Sequence, residues 1–303
     1  MYQTFFGLTE TPFGITPDTS FFFSFGSHRE ALNTLMIAAQ NGEGFIKITG
    51  EVGTGKTLLC RQFLKTLGPE FVSAYIPNPL VEPRTLLLNV AEELGVTPSS
   101  GVEQHELLRA INHRLLEYAE QEKRVVLCID EAQALPIETL EALRLLSNLE
   151  TEKRKLLQII LFGQPELDRR LARAEIRQLA QRITFHYRLR SLSWEETVFY
   201  INHRLRIAGY SELRLFSRTA SFALWLGSRG IPRMTNILAN KALMLAYGAG
   251  RRFVNTRDVL LALKDTESAP LLKVSKKLIA GGALLSVLLI IASQFWLSKI
   301  AGG

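Results

Sequence analysis

The fold of this 303-residue chain is decided by one glycine-rich stretch, Gly50-Glu51-Val52-Gly53-Thr54-Gly55-Lys56-Thr57. It fits the pattern G-x-x-x-x-G-K-[S/T], with an apolar run over residues 44–49 before it and a helical pattern over residues 58–64 after it. Glycines allow the backbone to wrap so that successive N–H groups point at phosphate oxygens, and the following helix presents its positive N-terminal end. The stretch therefore predicts a phosphate-binding loop between a strand and a helix. A glycine turn that binds nothing is the alternative, and the strand-loop-helix context disfavours it.

Each residue of this loop is a candidate for nucleotide binding. Lys56 can reach the β- and γ-phosphates, which makes it a catalytic candidate as well, and the Thr57 hydroxyl can ligate Mg²⁺. The sequence therefore predicts a nucleoside triphosphate and Mg²⁺ as cofactors. The candidate nucleotide-binding residues are Gly50, Glu51, Val52, Gly53, Thr54, Gly55, Lys56 and Thr57.

The composition is that of a globular protein, with 47% hydrophobic and 21% charged residues. A net charge of +7 permits contact with nucleic acid or anionic lipid but requires neither. The two cysteines, Cys60 and Cys128, fall in the helix after the loop and inside an apolar strand, so we expect small buried residues. The five histidines show no ligand spacing, which argues against a metal site built from His or Cys.

A long apolar segment near the end of the chain, residues 278–297, contains no charged residue. At a rise of 1.5 Å per residue it spans about 30 Å, the thickness of a bilayer core, and Trp296 stands where an interfacial aromatic would. Three lysines in residues 273–277 outnumber Lys299 after the segment, which places the preceding chain in the bacterial cytoplasm. We expect a single-pass inner-membrane anchor with a short periplasmic tail over residues 298–303. A buried core helix is the alternative.

Strand and helix patterns alternate through the first two thirds of the chain, which predicts a parallel sheet with helices on both faces. The five strand candidates are Phe45–Thr49, Val72–Ile76, Val125–Asp130, Leu157–Phe162 and Ile183–Leu189. From residue 194 only helical periodicity remains, with candidates at Trp194–Ile207, Phe216–Leu226, Pro232–Ala246 and Thr256–Leu263. The predicted domains are an α/β core over 1–190, a small helical lid over 191–265 and a basic linker over 266–277.

Two carboxylates, Asp130 and Glu131, follow the third predicted strand. Asp130 would hold the Mg²⁺ shell through water, and Glu131 is placed to polarise a water for in-line attack on the γ-phosphate. Gln133, in the same turn, could help to sense the nucleotide. A solvated strand end is the alternative for this acidic pair.

Four further residues are candidates for contacts with the γ-phosphate. Gln164 follows the fourth strand, beside the catalytic one, and could touch the γ-phosphate or the attacking water; an ordinary turn residue is its alternative. Arg182 and, second to it, Arg177 precede the fifth strand, and an arginine at a subunit edge can reach a neighbour's γ-phosphate. Arg233 follows a proline at a helix start and could swing over the nucleotide. For the three arginines, a solvated surface charge is the alternative.

Taken in order, these motifs resemble those of an AAA+ ATPase and, more narrowly, those of the general secretion pathway protein A group. The likeness covers residues 1 to about 265. The stretches that carry it are Phe5–Leu8, Pro12–Phe13, Thr16–Asp18, His28–Leu32, Gly42–Phe45, Gly50–Thr57, Cys60–Arg61, Ile129–Gln133, Gly163–Leu167, Leu179–Ile183, Tyr200–Leu205 and Ala208–Gly209. Within that group the chain is similar to the branch associated with MSHA-type type IV pilus biogenesis.

The resemblance implies an AAA+ fold, with a P-loop five-stranded parallel sheet and a helical lid, and the apolar segment 278–297 adds the expected C-terminal transmembrane helix. It implies Mg²⁺-dependent hydrolysis of ATP in the assembly of a type IV pilus or type II-like secretion machine, with inner-membrane assembly proteins as partners. A homo-oligomeric ring is implied if Arg182 or Arg177 acts in trans. The alternatives are a DNA-dependent transposition-helper ATPase of the TniB/IstB type and a nucleotide-dependent scaffold. The apolar segment argues against a nucleic-acid partner, and Glu131 argues against a scaffold.

Overall fold

A central sheet of five parallel strands organises the computed structural model, which describes residues 2–97, 102–152 and 154–266. The strands are β1, Phe45–Gly50; β2, Phe71–Ile76; β3, Arg124–Ile129; β4, Leu157–Gly163; and β5, Phe185–Leu189. They lie in the order β2-β3-β4-β1-β5, and every neighbouring pair is parallel. The predicted five-stranded parallel sheet is confirmed. β5 begins two residues later than predicted, because the Ile183 N–H donates to Ala180 O (3.3 Å) in the turn before it.

Helices surround the sheet and continue beyond it. Their bounds are α1, Tyr2–Phe6; α2, Gly26–Asn41; α3, Lys56–Thr66; α4, Pro83–Glu93; α5, Gln104–Glu120; α6, Ile137–Leu146; α7, Glu166–Leu171; α8, Arg177–Ala180; α9, Trp194–Ile207; α10, Arg218–Ser228; α11, Pro232–Gly248; and α12, Thr256–Lys264. The four helices predicted after residue 194 are α9 to α12, and their observed bounds differ from the predicted ones by no more than two residues.

Alternate residues of the central strands enter two separate apolar cores. In β3, Leu127 and Ile129 pack with buried residues of α4, α5 and α6, whereas Val126 and Cys128 pack with those of α2 and α3. Each of these four residues is fully buried, which explains why the strand is a continuous apolar run rather than an alternating one. The helices therefore lie on both faces of the sheet, as the sequence predicts.

The described chain divides into two compact units that are each assembled from separated segments. The first contains the sheet and consists of residues 15–208 and 231–233; the second is helical and consists of residues 2–14, 209–230 and 234–266. α9 belongs to the first unit, although the sequence analysis assigns residues 191–265 to the lid. A bidentate pair is one of the contacts that join α9 to this unit: Arg190 after β5 donates to both carboxylate oxygens of Glu196 in the first turn of α9 (2.6 and 2.7 Å). The predicted domain bounds remain a prediction.

Aromatic residues of the chain's start pack inside the helical unit. The ring of Phe13 stands edge-on to that of Phe216 with centroids 5.8 Å apart, and Phe5 packs in the same way on Tyr247 at 5.2 Å. The Tyr2 hydroxyl donates to Asn240 Oδ1 (3.1 Å). These contacts give the aromatic N-terminus a packing role in this unit.

The predicted membrane anchor falls where the structure gives no description. Residues 278–297, the tail 298–303 and, apart from Thr266, the linker 266–277 all lie outside the described residues. Among the helices of the described ranges, none has both the length and the apolar character needed to cross a bilayer.

Candidate functional site

The phosphate-binding pattern forms a turn between the carboxyl end of β1 and the first residue of α3. Gly53 and Gly55 have positive φ angles of 82° and 99°, a region that favours glycine over residues with a Cβ atom. A Cβ atom on Gly53 would also stand 2.8 Å from Arg233 Cβ, closer than two carbon atoms can approach. The glycine spacing of the pattern is therefore required by backbone geometry and by close packing.

The loop's own side chains hold its first carbonyl groups. The Lys56 ammonium, 5% exposed, donates to Gly50 O (2.8 Å) and Glu51 O (3.1 Å), and the Thr54 hydroxyl donates to Glu51 O (2.8 Å). Burial lowers the pKa of Lys56, and the negative charges of Glu131 and Asp130 oppose that shift. The ammonium is thus a buried cation that faces both the loop and the acidic pair.

Two residues outside the pattern hold the next two carbonyl groups. The backbone N–H of Arg233 donates to Gly53 O (3.1 Å), and His28 in α2 bonds Thr54 O through Nε2 (2.7 Å). The carbonyl oxygens at residues 50, 51, 53 and 54 all accept from protein donors, which turns these oxygens away from an anion bound by the remaining N–H groups of the loop.

The acidic pair after β3 meets the loop directly. The Thr57 hydroxyl donates to Asp130 Oδ2 (2.6 Å), and the Glu131 N–H donates to Asp130 Oδ1 (3.0 Å). Asp130 is 2% exposed, and burial raises its pKa above the ordinary 3.8, while the bond from Thr57 opposes that rise. A buried carboxylate beside a hydroxyl suits a hard divalent cation that takes its other ligands from phosphate and water. Within the described ranges no cluster of three or more His, Cys, Asp or Glu could hold a metal.

Glu131 is oriented by two glutamine side chains. Its Oε2 accepts from Gln133 Nε2 (2.5 Å) and from Gln164 Nε2 (3.1 Å), and the Gln164 N–H donates to Gln133 Oε1 (2.9 Å). Glu131 itself has a left-handed backbone, with φ 52°. The structure therefore brings together the predicted Glu131, Gln133 and Gln164 at the carboxyl ends of β3 and β4, where ligands bind in open α/β sheets.

Residues 39–171, which contain the loop, the acidic pair and Gln164, match the AAA domain family. This segment is similar to an AAA domain. The chain is also 41% identical over 262 residues to general secretion pathway protein A of Aeromonas hydrophila, which confirms the resemblance to that group. The match covers 86% of this chain and 48% of the relative, so the chain spans about half the length of the curated relative that it matches.

Solved structures share the fold of the AAA domain and of the helices after it. The ORC2 protein of Aeropyrum pernix, in its ADPNP-ADP complexes, has a TM-score of 0.62 and 17% identity, and the match covers 84% of this chain and 72% of that one. Cdc6p of Pyrobaculum aerophilum has a TM-score of 0.64 and 19% identity, over 82% of this chain and 70% of that one. At these identities the likeness establishes the fold alone.

The candidate arginines occupy three different settings around the AAA domain. Arg182 is half-buried and donates to Ser147 Oγ (2.9 Å) at the end of α6, whereas Arg177 lies exposed on α8. Arg233 lies against the loop through its backbone N–H, and its side chain is exposed. Of the three, the structure brings only Arg233 to the loop, and no role in trans is tested for the others.

The outer loop residues also differ in setting. Val52 is 56% exposed, and Glu51 is exposed with its carboxylate 3.8 Å from the Arg188 guanidinium. Their side chains are therefore open to solvent.

Sequence reasoning missed two residues that support the site, His28 and Arg170. Arg170 in α7 donates from Nη1 to Gln133 O (2.6 Å) and from Nη2 to Leu135 O, which ties the segment after Glu131 to the helix after β4. Its only signal in the sequence is one charge beside Arg169, indistinguishable from a surface pair. His28 lies in the stretch His28–Leu32 that carries the resemblance, but nothing in that stretch points to the loop.

Proposed function

We propose that this chain binds ATP with Mg²⁺ and hydrolyses it. The observation that carries the proposal is the 2.6 Å bond between Thr57 and Asp130, because it joins the phosphate-binding loop to the carboxylate that would share a metal shell with it. A site that only bound phosphate would not need a buried carboxylate at this position, since the carboxylate repels the anion.

The residues of the site have complementary roles in this proposal. The loop N–H groups and the Lys56 ammonium bind the phosphates and stabilise the charge that develops on them. Thr57 and, through water, Asp130 would hold Mg²⁺, which supplies further neutralisation of the phosphate oxygens. Glu131 accepts a proton from the attacking water, and Gln164, already bonded to Glu131, senses the γ-phosphate. Arg233, against the loop, would close over the nucleotide.

We further propose that hydrolysis serves the assembly of an envelope machine, either an MSHA-type type IV pilus or a type II-like secretion system. The relative named general secretion pathway protein A and the apolar segment 278–297 support this proposal. The segment would anchor the chain in the bacterial inner membrane with the AAA domain in the cytoplasm. Arg182 or Arg177 would reach the site of a neighbouring copy in a ring, so a homo-oligomer and inner-membrane assembly proteins are the proposed partners.

ATP hydrolysis by the full chain, purified in mild detergent, tests the enzymatic part. We expect turnover that requires Mg²⁺, is lost with EDTA and does not change when double-stranded DNA is added. Turnover that rises with DNA would instead favour the transposition-helper reading. The absence of turnover together with tight ATP binding would favour a scaffold.

Cell fractionation tests the location independently of activity. We expect the full chain in the membrane pellet, resistant to high salt and to carbonate, and a chain truncated after residue 266 in the supernatant. A full chain that fractionates with the truncated one would overturn the anchor without touching the ATPase proposal.

A further inference from the structure

We infer that His28 is a positioning residue for nucleotide binding: from α2 it fixes the Thr54 carbonyl and thereby aims the Gly55 N–H at the bound phosphate. The inference rests on the proposed function, since it concerns the affinity of the same loop for a nucleotide. His28 stands 22 residues before the pattern and belongs to a helix on one face of the sheet.

The hydrogen bond fixes which nitrogen of His28 carries the proton. Nε2 lies 2.7 Å from Thr54 O, and a carbonyl oxygen only accepts, so Nε2 must donate. Nδ1 then carries no hydrogen and is an acceptor; it is buried and has no hydrogen-bond partner among the described residues. Burial lowers the pKa of the ring and so favours its neutral form, while the bond to Thr54 O and the charge of Glu196 oppose this shift. The imidazole is thus a fixed donor aimed at the loop.

Holding one carbonyl group orients the next N–H group. In a trans peptide unit the C=O and N–H bonds point in opposite directions, so a donor on Thr54 O turns the Gly55 N–H away from His28. Gly55 caps the N-terminus of α3, where unpaired N–H groups and the helix dipole favour an anion. Without His28, this peptide unit could rotate and present its oxygen to the phosphate.

The ring also packs where Gly55 has no side chain. A Cβ atom on Gly55 would stand 3.1 Å from His28 Nε2, a contact tighter than nearly all real Cβ contacts, so the glycine and the histidine fit each other. The ring of Phe22 also stands edge-on to the imidazole, with centroids 6.4 Å apart. His28, 7% exposed, therefore has little freedom to leave its position.

The start of α2 is itself held in place by the acid–base pair that positions α9. The Arg190 N–H donates to Ser27 Oγ (3.3 Å), and a Cβ atom on Gly26 would collide with Glu196 Oε1 at 2.0 Å. The Glu196 side chain is only 9% exposed and receives both guanidinium bonds of Arg190. His28 is therefore held in position by contacts that do not involve the loop, as preorganisation of a site requires.

Two substitutions of His28 distinguish its role as a hydrogen-bond donor from its role in packing. In His28→Leu the volume is similar but Thr54 O loses its partner, and we expect the affinity for nucleotide to fall about tenfold, or about 1.4 kcal/mol. In His28→Gln an amide N–H can reach the same oxygen, and we expect affinity within about threefold of the wild type. At saturating ATP, kcat should stay within about twofold in both, because the ring does not touch the reacting atoms.

The chain offers a control in His203 of α9. It is also a partly buried histidine, its Nε2 has no hydrogen-bond partner among the described residues, and its ring packs on Phe23 with centroids 5.3 Å apart. Its packing neighbours do not belong to the loop. We expect His203→Leu to change the melting temperature to an extent similar to His28→Leu, while nucleotide affinity stays unchanged.

The experiment is a fluorescence titration of the full chain with a labelled ATP analogue, together with kcat, KM and thermal unfolding for the wild type and the three variants. A rise in Kd and KM in His28→Leu, with recovery in His28→Gln, supports the inference. An unchanged Kd in His28→Leu, or an equal loss in His28→Gln, overturns it while leaving the proposed function intact. A wild type that binds no nucleotide overturns both.

Discussion

The two halves of the candidate site are held in different ways. The loop of residues 50–57 is fixed by bonds to its backbone carbonyl groups, given by a buried lysine, a histidine and a backbone N–H. The acidic side is fixed by side-chain amides, Gln133 and Gln164, which share one oxygen of Glu131. Backbone bonds from buried donors resist exchange, whereas amide contacts at half-buried positions can be replaced by water or phosphate. We infer that the loop, the binding half of the site, keeps one conformation, whereas the side chains around Glu131, the catalytic half, can rearrange.

The largest expected effect is a loss of nucleotide affinity when the binding half is altered. Lys56→Ala removes the buried cation that faces the phosphates and two loop carbonyl bonds. We expect nucleotide affinity to fall about 100-fold or more, since hydrogen bonds to charged groups are among the strongest. Titration with a labelled ATP analogue measures it, with the exposed Lys65→Ala in the same helix as control. Equal affinity in Lys56→Ala and wild type would remove the phosphate-loop assignment.

Breaking the catalytic half should spare binding. Glu131→Gln keeps the size of the side chain but cannot accept a proton from water, so we expect kcat to fall about 100-fold or more with Kd within about threefold. Steady-state hydrolysis and binding measured on the same preparation give both values. Turnover at the wild-type rate in Glu131→Gln would show that Glu131 does not accept the proton from the attacking water.

A smaller effect is expected from Arg170, which holds the segment after Glu131 in the catalytic half. Arg170→Leu frees the carbonyl groups of Gln133 and Leu135, so the segment after Glu131 gains freedom while the loop keeps all its donors. We expect kcat to fall about tenfold and Kd to change less than twofold. Arg169→Leu is the control, because Arg169 is 77% exposed and pairs with Glu166 three residues before it in the same helix. A loss of affinity as large as the loss of turnover would contradict the division into two halves.

The smallest expected effect concerns stability rather than activity. Burial raises the pKa of Asp130, so the folded chain binds its proton more tightly than the unfolded chain does. The contribution of Asp130 to stability is therefore more favourable at low pH and declines as pH rises from the ordinary value of 3.8 through the raised pKa. Asp130→Asn removes the buried charge; its Oδ1 can keep the bond from the Glu131 N–H while its Nδ2 donates to the Thr57 hydroxyl, so at pH 7 we expect it to melt about 2–4 °C above the wild type.

Thermal unfolding followed by circular dichroism at pH 7 and at pH 4 measures this difference, which should shrink at the lower pH. Asp265→Asn serves as the control, because that side chain is 77% exposed. A variant that melts at or below the wild type at pH 7 would show that the Asp130 charge is compensated within the fold.

The sheet and the meeting of the loop with Asp130 were predictable from the sequence. Buried parallel strands are continuous apolar runs, and their carboxyl ends converge at one edge, so a motif after one strand and carboxylates after another must be neighbours. The bounds of the strands were harder to predict. Ile183 has the side chain of a strand residue, but its N–H closes a turn before β5 instead.

The supporting residues were not predictable. His28 and Arg170 act from helices that reach the loop or the Glu131 segment only in three dimensions, and each acts alone, so no spacing in the sequence marks it. The assignment of α9 differs for a related reason, because the helix joins its unit through several contacts, among them the ion pair of Arg190 with Glu196 and the packing of Phe23 on Tyr200. A periodicity that identifies a helix carries no information about its partner.

The division of the helical unit along the chain has a consequence for synthesis. Residues 2–14 leave the ribosome before the rest of the helical unit, yet Phe13 packs on Phe216 and Tyr2 bonds Asn240. At about 5–20 residues per second, these aromatic side chains wait roughly 10–40 s for their partners, a period in which residues 15–208 emerge complete. The aromatic side chains of residues 2–14 thus stay without their partners in the nascent chain until residues 209–266 have been synthesised.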